Sequence, residues 1–190
     1  MNRKVKLLSY TVMFAAINFV VFTYAKINIP VGSSTVAIHV ANAVVVLSAW
    51  LIGPVYGGLA GAVGLSIADV LDPLYIISAP KTFFLKFMIG FIAGTIANKM
   101  SLHKTEDPKA ITRITAVSAA AGLGFNVIFE PVISYLYRRF LLRTGAEAAA
   151  ILASWLGGVT AFNAIVCLFV SILLYKALYR SFRLFQTSGR

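Results

Sequence analysis

Polar positions are scarce along this chain, and they arrive in clusters. Between the clusters lie apolar runs near 7–25, 36–52, 54–77, 83–99, 112–137 and 154–177. At about 1.5 Å of rise per residue, runs of this length approach the roughly 30 Å of a bilayer's hydrocarbon core. The second and third runs touch at Gly53-Pro54. Proline disfavours helix at the residue before it and glycine tolerates a turn, so a stretch about twice too long for one span divides into a tight helical hairpin. The pattern predicts an all-α membrane protein with six transmembrane helices.

Composition agrees with a lipid solvent: of 190 residues, 59% are hydrophobic and only 12% charged. A soluble domain of this length could not hide so much apolar surface. The net charge of +11 would suggest nucleic acid were it spread over one surface, but it is grouped between the runs. Arg3, Lys4 and Lys6, then Lys99, Lys104, Lys109 and Arg113, then Lys176, Arg180, Arg183 and Arg190 make up eleven of seventeen basic residues. With six spans these groups fall on one side, which the positive-inside rule assigns to the cytoplasm together with both termini. Arg138, Arg139 and Arg143 then stand outside against the rule, and a five-span alternative stays open for that reason. "NRKVK" before the first run resembles a signal peptide, but the run is long and lacks a small-x-small cleavage site, so a retained helix is expected. The polar connector "HKTEDPKA" at 103–110 separates four helices from two. Neither part could shield its intramembrane polar groups alone, so residues 1–190 are read as a single integral membrane domain.

Small residues recur at helical spacing. Gly53, Gly57 and Gly61 form one row, Gly58 and Ala62 a second, and Gly90 and Gly94 a third. Such rows let helix backbones approach closely, and internal packing is the expectation for these. On the first helix, Thr11 with Ala15, or Val12 with Ala16, offers a small face that suits a second membrane protein if it points outward.

Familiar catalytic patterns are missing. "GGLAGAVGLS" lacks the Gly-Lys-Ser/Thr ending of a phosphate-binding loop, so no ATP hydrolysis is encoded. His39 and His103 lack ligand-spaced companions, no nucleophile elbow surrounds a serine, and the single cysteine, Cys167, is read as packing. Neither an enzyme, nor a metal site, nor a cofactor is expected. What remains are polar groups in or beside apolar runs, where each ionisable side chain costs at least ~2.5 kcal/mol and therefore marks a site, a path or a pair. His39 and Asn42 share a face at the start of the second run. Asp69 and Asp72 end the third, and for them capping and pairing with a lysine compete with ligand contact. Lys86 stands about one turn inside the fourth run, where it either snorkels to the interface or faces inward toward Asp69 or a bound anion. Asn126 and Glu130 share a face of the fifth run beside Pro131, which frees the carbonyl of Val127; Glu130 pairing with Lys86 is the structural alternative. Asn163 can face the same cavity. Tyr75, Phe83, Phe84, Trp155 and Phe162 offer flat surfaces for a ring, or serve as belt and packing.

The succession "IPVGSSTVAIHVAN", "LIGPVYGGLAGAVGLSIADVL" and "APKTFFLKFMIGFIAG" resembles the substrate-binding S components of energy-coupling factor (ECF) vitamin transporters, most of all the group with hydroxymethylpyrimidine-, pyridoxine- and riboflavin-type members. The likeness is good over residues 7–99 and weaker beyond. It implies a multi-pass protein of a bacterial cell membrane that binds a vitamin near its outer face and works with a transmembrane coupling subunit and two cytosolic ATPase subunits. It also implies docking through a small face of the first helix, matched here by Thr11, Ala15 and Ala16, with threonine where the family has alanine. The substrate-binding residues expected are His39, Asn42, Asp69, Tyr75, Lys86, Asn126, Glu130 and Asn163. The expected ligand is hydroxymethylpyrimidine or a B6 vitamer, with riboflavin, pantothenate and folate open. A self-sufficient channel or proton-coupled carrier with Glu130 as proton site is the alternative, and a scaffold subunit with internally paired polar groups is a third reading.

Overall fold

A computed structural model describes residues 2–32 and 34–187, with side chains as far as 179. The basic side chains of Arg180, Arg183 and Arg190 lie outside the described residues. Six helices are described: α1 (Arg3–Tyr24), α2 (Ala41–Ile52), α3 (Pro54–Leu71), α4 (Ala79–Lys99), α5 (Pro108–Leu136) and α6 (Ala146–Thr187). Five helical segments are long and apolar enough to cross a membrane, while α2 has 12 residues and so spans only about 18 Å.

The shortfall in α2 corrects the sequence reading. Residues 36–39 of the expected helix belong to an antiparallel hairpin, β1 (Lys26–Val31) with β2 (Ser34–His39), paired from Lys26 opposite His39 to Val31 opposite Ser34. "KINIPV" and "STVAIH" alternate and are rich in β-branched residues, and Gly32 takes a positive φ of 60° at the turn, all of which favour strands. A count of apolar content alone fused β2 to α2, so the fold is not purely helical. Other ends shift too: α4 starts at Ala79, early enough to include Lys81; α5 passes into a π-helical turn at Tyr137–Leu141; α6 begins eight residues before position 154.

The glycine rows pack inward. Gly53 breaks α2 from α3 with φ 94° and ψ 167°, a conformation open essentially to glycine. A Cβ at Gly57 would stand 2.3 Å from the Ala49 Cα of α2, and one at Gly90 would stand 2.7 Å from the Gly58 Cα, so α2, α3 and α4 touch backbone to backbone. Trp50, fully buried, donates from Nε1 to Ser118 Oγ at 2.9 Å and ties α2 to α5.

Successive helices alternate in direction. The hairpin, the turn after α3 and the segment after α5 gather at one end, joined by Lys26–Asp72, Tyr75–Asn28 and Arg138–Ser34 contacts. The start of α1, the Gly53-Pro54 break and the 100–107 connector occupy the other. Because the hairpin fills the space above α2, that helix begins part-way down the bundle.

Candidate functional site

A cavity of about 70 Å³ lies below the hairpin, lined from β2 and from all six helices. Its walls include every one of the eight binding residues expected from sequence: His39 and Asn42, Asp69, Tyr75, Lys86, Asn126, Glu130 and Asn163. Phe83, Phe84, Trp155 and Phe162 are instead about half exposed on the outside of the bundle, where they suit lipid contact. Lys81, a candidate polar group at the start of the fourth run, also lines the cavity, and Phe22, Thr35, Ser78, Thr82, Arg138 and Thr160 do so without having been expected there.

Several wall residues satisfy one another. Glu130 pairs with Lys81, not with Lys86. The two lysines are five residues apart on α4, about 140° around the helix at 3.6 residues per turn, and both reach the cavity because their long stems converge from either side. Thr82 Oγ1 donates to Asp69 Oδ2 at 2.6 Å. Asn163 uses both ends of its carboxamide on the hairpin, accepting from the His39 amide at 3.2 Å and donating to the Ala37 carbonyl at 3.0 Å. At the rim, Lys26 Nζ meets Asp72 Oδ2 at 2.6 Å and lies 4.6 Å from the ring centres of both Phe22 and Tyr75. Partial burial would raise the Asp72 carboxyl, but the Lys26 hydrogen bond and the Leu74 amide outweigh it and hold the group below the usual carboxylate range. It therefore stays charged at physiological pH and keeps hold of Lys26.

Other groups are left over. The Oδ1 atoms of Asn42 and Asn126 and Nδ1 of His39 are buried without a hydrogen-bond partner, as is Nε of Arg138, whose Nη1 reaches Ser34 Oγ at 3.3 Å. Among the described residues Lys86 forms no ion pair within 4.0 Å and no hydrogen bond. Buried polar atoms are nearly always satisfied, so a group of orphans around one cavity is the signature of a site awaiting a ligand or water. Among the described residues, no group of three His, Cys, Asp or Glu side chains could hold a metal.

Cys167 has a role beyond filling space. Its sulfur faces the backbone amides of Asn42 and Ala43 and donates to the His39 carbonyl at 3.7 Å. It thus caps an α2 start that has no side-chain cap of its own, which no spacing in the sequence announces.

The chain matches, over residues 2–180, the family described as the ECF-type riboflavin transporter, S component. The chain belongs to this family. It is a vitamin-binding transporter subunit, of a kind distinct from the ATPases. The S-component fold has a solved counterpart in the crystal structure, at 2.1 Å, of the S-component for biotin from an ECF-type ABC transporter. The TM-score is 0.63 at 19% identity, covering 93% of this chain and 95% of that one. Among curated proteins none matches the sequence.

The docking face expected on α1 divides in two. Thr11 is buried, and Ala15 lies against α3, its carbonyl 2.3 Å from where a Cβ on Gly64 would stand. Val12 and Ala16 are exposed. Of the two small pairs on this S component's first helix, the second is the one left open.

Proposed function

We propose that this S component captures a small heteroaromatic vitamin or vitamin precursor on the outer side of a bacterial cell membrane and presents it for ATP-driven import. It works as one membrane-embedded domain with a transmembrane coupling subunit and two cytosolic ATPases, which supply the energy this chain has no motif to supply. The observation that carries this reading is the convergence of unpartnered polar side chains from β2, α2, α4 and α5 on one cavity beneath the hairpin. Orientation follows from charge: the basic groups around Arg3 and Lys104 lie at the end away from the cavity, and the positive-inside rule makes that end cytoplasmic.

The hairpin is the lid. An apolar cavity of about 150 Å³ holds one benzene, so a space of about 70 Å³ must widen to admit any ring. β1 and β2 are the segment that can move without separating one helix from another: contacts from Asp72, Tyr75, Arg138 and Asn163 hold them down, together with the packing of Val36 on Leu152 and Val159 of α6. A single-ring ligand needs the least widening, which supports hydroxymethylpyrimidine or a B6 vitamer. The description of the family favours riboflavin as the second reading.

Titration of candidate vitamins into the detergent-purified subunit tests the site. Asn126→Ala and Glu130→Ala should each weaken binding by about 5- to 150-fold, the effect of about 1–3 kcal/mol for a buried partner lost, while Val117→Ala on the exposed face of α5 leaves it unchanged. Equal affinity in all three variants would move the ligand elsewhere. Uptake that survives without ATPase partners but stops when the proton gradient is collapsed would favour the carrier reading, with Glu130 as its proton site.

A further inference from the structure

Three observations meet at the inner end of the cavity. The first is Lys86, 6% exposed and without an ion pair among the described residues, with Glu130 and Asp69 acting on it only from beyond 4.0 Å. The second is the start of α2, where peptide dipoles present the positive end of a helix and the Asn42 and Ala43 amides face only the weakly accepting sulfur of Cys167. The third is the pair of carboxamides of Asn42 and Asn126, each 2% exposed and each with an unpartnered Oδ1. Unlike a helix end alone, this arrangement has buried, unfilled side chains turned onto it from two further helices.

Charge counting sharpens the point. The cavity walls carry Lys81, Lys86 and Arg138 against Asp69 and Glu130. Lys81 is matched by Glu130 and Arg138 reaches a hydroxyl at the rim. Asp69 is held by the Thr82 hydroxyl, without a cation in contact. With Asp69 set against Lys86 across the cavity, the lining as a whole, Arg138 at the rim included, still carries one positive charge in excess, and an ion without a close partner is costly to bury.

We propose that the substrate carries an anionic group, a carboxylate, a phosphate ester or an acidic ring nitrogen, and seats it between Lys86, Asn42, Asn126 and the start of α2. A cationic ring would add to the excess. The carboxamides do double duty, their NH2 groups donating to the anion while their oxygens accept from ring N–H groups beside it. This rests on the vitamin-binding reading and narrows it to an acidic substrate, which among single rings sets aside hydroxymethylpyrimidine, a molecule with no acidic group, in favour of a carboxylated or phosphorylated ring.

The test uses nicotinate and nicotinamide, single rings of nearly equal shape that differ in charge, and reads the melting temperature of the whole purified subunit at millimolar ligand. Nicotinate should stabilise the wild type more than nicotinamide, and the difference should vanish in Lys86→Met and in Asn126→Asp, and persist in Lys86→Arg. Equal shifts from both compounds, zero included, would overturn the anion subsite, as would a difference that persists in a folded Lys86→Met. Mass spectrometry of the small molecule retained through gentle purification separates the two levels of inference. An acidic vitamin bound at least tenfold more weakly by Lys86→Met supports the subsite. A neutral or cationic vitamin removes the subsite and leaves the vitamin-binding reading standing. Retention of no vitamin, together with uptake that needs no ATPase partner, removes both.

Discussion

Asn163 illustrates how much one side chain can control. It spends both halves of its carboxamide on β2, so Asn163→Ala leaves the His39 amide and the Ala37 carbonyl unpaired in the closed state and removes one of the holds that keep the lid shut. Each buried bond lost is worth about 0.5–1.5 kcal/mol net. Ligand dissociation should accelerate about tenfold while association is no slower, which stopped-flow or surface-plasmon measurements on the purified subunit would read; slower association with unchanged release would assign Asn163 to the ligand instead. Residues of this kind stood out in the sequence because a polar group in an apolar run is expensive enough to need a reason. Partnerships were less legible. Nothing in the sequence distinguishes Lys81 from Lys86 as the mate of Glu130, since the pairing depends on how α4 is rotated against α5. Arg138 stood only as a charge against the positive-inside rule and Lys26 carried no reading, and only the hairpin brings the first to the cavity and the second beside two rings.

At the scale of elements, the hairpin was the feature least visible. Residues 36–39 of β2 are apolar enough to be counted with the membrane helix that follows, and β1, with its period-two alternation of Ile27, Ile29 and Val31, fell in the gap between two apolar runs. The Gly53-Pro54 break was legible because backbone chemistry alone demands it. For α1, spacing gave two small pairs and packing separates them. Ala15 is half-buried where α1 meets α3, its carbonyl against Gly64, so Ala15→Trp should force these helices apart and destabilise the subunit itself. Ala16→Trp, on the exposed side, should abolish transport by the assembled complex while changing vitamin affinity by less than about twofold, because close helix approach is what small residues permit. Transport assays paired with titration check this, and intact transport in Ala16→Trp would remove α1 from the docking surface.

For the molecule as a whole, hydropathy identified helix number and order because a bilayer admits few alternatives for a spanning backbone. Sidedness rests on charge and is open to direct measurement. With Cys167 replaced by Ser, which puts a hydroxyl where the thiol faces the start of α2, single cysteines at Lys104 and Arg139 can be labelled on intact cells with an impermeant thiol reagent. Position 139 should react and position 104 should not; the reverse would turn the site toward the cytoplasm. The shortness of α2 has an electrical consequence. A helix of about 18 Å leaves a site that starts roughly two-fifths of the way into a 30 Å hydrocarbon layer. A ligand charge resting there has traversed a like share of the transmembrane voltage, and at about 2.3 kcal/mol per charge per 100 mV that share is about 0.9 kcal/mol. In proteoliposomes held at 100 mV by a potassium gradient and valinomycin, inside negative, a monoanionic vitamin offered from outside should bind about fivefold more weakly than at zero voltage, and a neutral one should bind equally in both. The depth at which one helix begins would then be legible as a voltage dependence.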